Sequence, residues 1–227
     1  IIAETPEQAQ DAAEAFWPDI DERAAHLEIA TGGETLHDEA PDNQAFDFGM
    51  GDFDVVDAAI AGAAAPMGTG LVTVCSGSKD PRDQWRHHPA NDDPASWIEM
   101  CGEFELLLDI AEQNDLLIGV EPEPANVVSS PRKAARLLSD FSGSRLRIIL
   151  DPANILEGVS ADRQHPVIDE ALDLLGPMIA LSHAKDRFSD GRVAPAGRGT
   201  VDWGYVLKGL VSVGFDGTLI AHGMSAS

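Results

Sequence analysis

Basic residues are scarce in this 227-residue chain: 15 Lys+Arg stand against 39 Asp+Glu, a formal net charge of -24 at pH 7. A surface with that balance repels phosphate backbones, which argues against nucleic acid as a partner. Cysteine is nearly missing as well. Cys75 and Cys101 are too few for a disulfide framework and lack any metal-motif spacing, so both are expected as buried thiols. No apolar run approaches the roughly 18 residues of a membrane span. With no secretory leader recognisable either, a soluble cytoplasmic protein without a membrane partner is expected. GxSxG, P-loop, HExxH and CxxC motifs are all absent, which leaves serine-hydrolase and nucleoside-triphosphatase chemistry without support.

What is present suits a globular protein. The hydrophobic share is 44%, and the length fits a single domain over residues 1–227 with a substantial core. The acidic residues are spread along the chain and lysines are few, the pattern of halophilic adaptation; an acidic mesophilic enzyme is the alternative.

Hydrophobic periodicity predicts alternating strands and helices. Thr5-Pro6-Glu7 opens a helix over about 5–16, His26 to Ala30 reads as a strand, and 52–65 reads as a helix. Strand Leu71–Cys75 is followed by a polar, turn-rich loop from Ser76 to Pro94 that contains Trp85, His87 and His88. A long helix over about 95–114 then carries Trp97, Met100, Cys101, Phe104, Leu107 and Leu108 at helical spacing, read as a core face. Strands at 116–121, 146–151, 178–183 and 218–222 alternate with helices at 131–140, 166–175 and 202–213.

Four of these strands stop on a residue type that binds divalent metals: LLIGV runs into Glu121, LRIIL into Asp151, IALS into His183 and TLIA into His222. In a parallel barrel all strand C-termini emerge on one face, so these four would converge. A hard divalent cation takes carboxylate oxygens and imidazole nitrogens held on rigid elements. Nearby groups extend the constellation. Glu123 follows in VEPEP, Asn154 lies three residues after Asp151 where an amide could bind a hydroxylated substrate, and Lys185 and Arg187 follow His183. Each has a plainer reading. The glutamates could be solvated loop residues, Asp151 could cap a turn, and Asp202 in AGRGTVDW could simply cap a helix.

Taken together, VEPEP, LDPAN, SHAKD, AGRGTVDW and GFDGTLIAH resemble the sugar phosphate isomerase/epimerase family with the xylose isomerase-like TIM-barrel fold, over most of the chain from about Leu27. The resemblance implies an α/β (β/α)8 barrel, here expected to lack part of its first and last units. Such a barrel would expose apolar edges, which allows association into a homo-oligomer. It further implies a divalent metal cofactor (Mn, Mg, Zn, Co or Fe) on Glu121, Asp151 and His183, with His222 standing where the family has a second glutamate. That departure leaves one face of an enediolate without its usual base. Asn154 stands where many members have a substrate-binding histidine.

The implied activity is isomerisation, epimerisation or a related lyase reaction on a sugar, sugar phosphate or polyol-like carbonyl compound. Glu121 would move the proton, with Glu123 a weaker candidate; Lys185 and Arg187 would neutralise an oxyanion or a substrate acid. Trp85 and His88 would shape the pocket for a small sugar-like substrate. The alternative is a non-catalytic barrel that binds a metabolite. An endonuclease of the related barrel type is disfavoured by the negative charge and by the lack of ligands for a trinuclear site.

Overall fold

Leu-rich and Ile-rich runs of four or five residues, bounded by prolines and polar turns, become the strands of a parallel sheet. The computed structural model describes Ile60, Ala64 and residues 69–221. These fall in the second of the two units, Ile1–Gly51 and Asp52–Ser227, into which the chain divides. The helix expected over 5–16, the strand His26–Ala30 and the ligand position His222 lie outside the described residues, as does the helix expected over 52–65 apart from the helical Ile60 and Ala64.

Five strands, β1 (Leu71–Val74), β2 (Leu117–Val120), β3 (Leu146–Leu150), β4 (Ile179–Arg187) and β6 (Thr218–Ala221), pair in parallel in that order. Helices α1 (Pro94–Gln113), α2 (Pro131–Asp140), α4 (Gln164–Leu175) and α5 (Trp203–Ser212) fill the crossovers. This is the strand-helix repeat of a (β/α)8 barrel, of which the described residues form an arc. Ile118, Val120, Leu146, Ile148 and Leu150 are almost wholly buried, as strands covered on both faces require. On the helical side, Leu137, Leu172, Leu175, Val206 and Leu210 join the same core. Gly119 sits where a β-carbon would lie 2.5 Å from Ile149 Cδ1, so any larger residue there would force the buried Ile149 side chain to move.

Local signals set the helix starts. Ser130 accepts a hydrogen bond from the Lys133 N–H with Pro131 at the first helical position, and Asp202 does the same for the Tyr205 N–H. In α1 the buried stripe is Trp97, Met100, Phe104, Leu108 and Ala111. Among the described residues, no helix is long and apolar enough to cross a membrane.

Three local features depart from the sequence expectations. The strand expected to stop at His183 continues to Arg187, and a short strand β5 (Val193–Pro195) pairs antiparallel with its extension. The polar HAKDR stretch is therefore strand: His183 and Ala184 pair with β6, and Lys185 to Arg187 pair with β5. A short helix α3 (Pro152–Ile155) follows Asp151 directly. Finally, Cys75 is exposed and Cys101 half-buried, not the buried thiols expected. Cys75 lies past the end of β1 at a cleft, and Cys101 sits one position off the core stripe of α1.

Candidate metal centre

Parallel pairing brings the strand ends together. Val74 pairs with Val120 and Leu150 with Ser182, so Cys75 stands level with Glu121, and Asp151 with His183. One ligand atom from each of Glu121, Asp151 and His183 lies within 4.8 Å of the other two. His183 Nδ1 is 3.4 Å from Glu121 Oε2 and 3.7 Å from Asp151 Oδ2.

Each carboxylate uses one oxygen for structure and turns the other inward. Asp151 Oδ1 accepts from the N–H groups of Ala153 (2.8 Å) and Asn154 (3.3 Å), capping α3. The turn-capping and metal-ligand readings of this residue are thus compatible, because they use different oxygens. Glu121 Oε1 accepts from Asn154 Nδ2 at 2.7 Å, which leaves Oε2 towards His183. Asp151 Oδ2 is buried and accepts no aligned hydrogen bond, although Lys185 Nζ stands 2.8 Å from it as an ion pair. The two observations agree if the ammonium acts on this oxygen by charge rather than by a directed bond. A buried carboxylate oxygen without a directed donor, beside a second carboxylate and an imidazole, is a donor set that fits a divalent cation.

The charges respond to one another. Two carboxylates, Asp151 first and then Glu121, hold the His183 imidazolium against burial and raise its pKa from 6.5 to about 9. Burial alone would push the Asp151 carboxyl up, but His183 and Lys185 more than offset it and hold it below its ordinary value. Burial raises Glu123, with the charge of Glu121 adding to it and Lys185 opposing. Burial likewise raises the Cys75 thiol, helped by Glu121 and Glu123.

A pH dependence follows. With its folded pKa raised above the unfolded value, His183 stabilises the metal-free fold below pH 6.5, and this contribution is lost as pH rises through about 9. Between those values a divalent ion that took His183 as a ligand would have to displace the imidazole proton. Titration calorimetry with Mn²⁺ at pH 7.5, in buffers of different ionisation enthalpy, should show about one proton released per ion bound. Binding with no proton release would contradict the assignment of His183 as a ligand.

A cleft of about 550 Å³ opens over the triad, and its lining includes Trp85, His87, Glu121, Glu123, Glu157, His183, Lys185 and Arg187. Residues 183, 185 and 187 share one face of β4 because side chains alternate along a strand. Asp151 and Asn154 lie buried beneath. Of the sequence-predicted residues, Glu121, Glu123, Asp151, Asn154, His183, Lys185 and Arg187 are therefore in or directly under the cleft. Trp85 is at its rim, 58% exposed. His88 does not line it: its Nδ1 accepts from the Ala90 N–H and caps the turn Pro89–Asp92, while the adjacent His87 faces the cleft.

Sequence reasoning missed the residues that hold these elements in place. Buried Asn91 accepts from the Lys79 N–H and donates to the Ala125 carbonyl, each at 2.7 Å, tying the loop after β1 to the segment after β2. Asp80 gathers the N–H groups of Arg82 and Asp83 in the same loop. Asp186, wholly buried, accepts from the N–H groups of Arg187, Gly197 and Val201 and so fixes the AGRGT segment. A β-carbon at Gly199 would collide with the Arg187 carbonyl and Asp186 Oδ1. That glycine serves a backbone approach to β4 rather than to a ligand. A polar residue inside a turn-rich segment is the only sequence mark of such anchors.

A parallel α/β barrel arc with a Glu/Asp/His cluster at its strand C-termini defines a class of protein. A family profile described as "Xylose isomerase-like TIM barrel" matches residues 43–225, and the chain belongs to that family. No curated protein matches the chain. Among solved structures, it is similar to a D-tagatose 3-epimerase-like protein at 18% identity (TM-score 0.57), over 74% of this chain and 60% of that one. A xylose isomerase-like TIM barrel protein from Mycobacterium smegmatis in complex with magnesium matches at 17% identity (TM-score 0.55), over 75% and 60%. The probable 3-DHS dehydratase AsbF from Bacillus anthracis matches at 15% identity (TM-score 0.61), over 78% and 66%. The chain thus spans less than two thirds of the length of each of these structures.

Proposed function

We propose that this chain is a divalent-metal-dependent isomerase or epimerase, or a related lyase, acting on a sugar, sugar phosphate or polyol-like carbonyl compound. The observation that carries the reading is the convergence of Glu121, Asp151 and His183, with ligand atoms within 4.8 Å of one another, under an open cleft. The likeness in fold to a D-tagatose 3-epimerase-like protein and to a probable dehydratase supports it.

In this reading Glu121, Asp151 and His183 hold the ion. A bound divalent cation supplies Lewis-acid stabilisation of negative charge developing on adjacent carbonyl and hydroxyl oxygens. The rest is protein chemistry. Glu121, partly exposed in the cleft, takes the proton from the carbon beside the carbonyl. Glu123 has a raised pKa and is suited to carrying a proton at the cleft wall. Lys185 and Arg187 offset charge on substrate oxygens, Asn154 orients Glu121 and Lys185, and Trp85 covers the rim. Whether His222 adds a fourth ligand is part of the same proposal.

Elemental analysis and chelation test it. Purified protein should carry close to one divalent ion per chain, and turnover of a panel of ketoses and keto-sugars should fall to background on rigorous metal removal and return when the ion is restored. Sugar binding without metal and without turnover would favour the non-catalytic metabolite-binding alternative.

A further inference from the structure

We infer that Lys185 is a built-in surrogate cation for the metal centre. Its ammonium neutralises Asp151 when no divalent ion is bound, keeping the ligands folded in place, and it weakens the binding of the ion that arrives. The inference rests on the metal-centre reading above.

Three observations carry it. First, Lys185 is 7% exposed and Asp151 is fully buried, so Asp151 needs a positive partner close by. Lys185 Nζ provides one at 2.8 Å from Oδ2. Secondly, that oxygen accepts no aligned hydrogen bond, whereas Nζ donates a directed bond of 2.8 Å to Asn154 Oδ1. The ammonium is anchored by the amide, while Asp151 Oδ2 faces both Lys185 and His183 without an aligned bond to either. Turning Oδ2 to another cation leaves the Lys185 anchor on Asn154 intact. Thirdly, the same amide donates from Nδ2 to Glu121 Oε1 at 2.7 Å. Asn154 thus sets the lysine and one ligand carboxylate with opposite ends, and each carboxylate keeps one oxygen towards His183.

An ammonium beside two carboxylates removes a unit of negative charge from the site, and a divalent ion entering next to it meets repulsion at a few ångströms. The site trades affinity for a metal-free state in which buried Asp151 has a second cation, Lys185, beside the His183 imidazolium. Lys185 acts on the ion through charge and through Asp151, so in this role it is a positioning residue.

The test uses the full chain stripped of metal, with Mn²⁺ alone as the probe, and compares wild type with Lys185→Met and Lys185→Arg. Lys185→Met should bind Mn²⁺ about tenfold tighter or more. Its metal-free melting temperature should fall below that of wild type and recover in saturating Mn²⁺. Lys185→Arg keeps the charge and should bind like wild type. If Lys185→Met fails to fold without metal, refolding it in Mn²⁺ decides: recovery supports the inference and failure overturns it. Equal or weaker Mn²⁺ binding by Lys185→Met also overturns it, whatever the melting temperature. If neither wild type nor Lys185→Met binds Mn²⁺, the metal-centre reading fails and takes this inference with it.

Discussion

Glu121→Gln is expected to abolish turnover while leaving the fold intact. Glu121 Oε1 accepts a hydrogen bond from Asn154 Nδ2, and the carbonyl of an isosteric glutamine can accept the same bond, with only its amide nitrogen replacing Oε2 towards His183. What is lost is charge. The neutral amide cannot take a proton from carbon and is a poorer ligand for a hard cation. Loss of the general base alone predicts a fall of about 10²- to 10⁴-fold. The measurement is turnover on whichever ketose the wild type converts, alongside circular dichroism and melting temperature. Full activity in a folded variant would remove Glu121 from the chemistry; an unfolded variant would show that its role is structural.

Asp151→Ala should cost the metal-free protein about 3–5 kcal/mol, the usual penalty for breaking a buried ion pair by deleting one partner. Asp151 is fully buried and Lys185 nearly so, and the truncation strands the ammonium without its carboxylate partner. It also removes the cap on α3, from the N–H groups of Ala153 and Asn154. Asp151→Asn keeps a capping oxygen but not the charge, so it separates the two contributions. Urea denaturation at pH 7 in excess chelator measures both. The pH profile supplies a check of sign: the Asp151 carboxyl is held below its ordinary value, so its contribution is present above the unfolded pKa and is lost as pH falls through the folded one. A loss within about 1 kcal/mol for Asp151→Ala would mean that the pair behaves like an exposed one.

The strands were legible because strands buried on both faces need apolar runs, and Leu117–Val120 and Leu146–Leu150, the latter broken only by Arg147, are such runs; Thr218–Ala221 is apolar in sequence but exposed in the described residues. Pro131 and Ser130 gave the start of α2 by capping chemistry. Periodicity could not reveal β5 or the extension of β4 through Lys185 and Arg187, because a three-residue strand, Val193–Pro195, pairing with a charged stretch carries no periodic apolar signal. His88 and His87 are equivalent in sequence, and only the turn at Pro89–Asp92 decides which imidazole is spent on a cap and which faces the cleft. Asn91 and Asp186 depend on N–H groups that the chain brings to them from 12 and 11 or more positions away, whereas Asp80 closes its own turn through Arg82 and Asp83, a local use that composition alone does not mark.

By itself the sequence determined the alternation of strand and helix, and with it the placing of Glu121 and Asp151 just past strand ends and of His183 at the end of the apolar part of β4, since these follow from local hydrophobic pattern. The tertiary structure decided which oxygen of each carboxylate is free and which cation stands beside it. Glu121 and Asn154 are 33 positions apart, and Asn154 and Lys185 are 31 apart. Hydrogen bonds of 2.7–2.8 Å between them depend on sheet register and pleat, which no local pattern encodes.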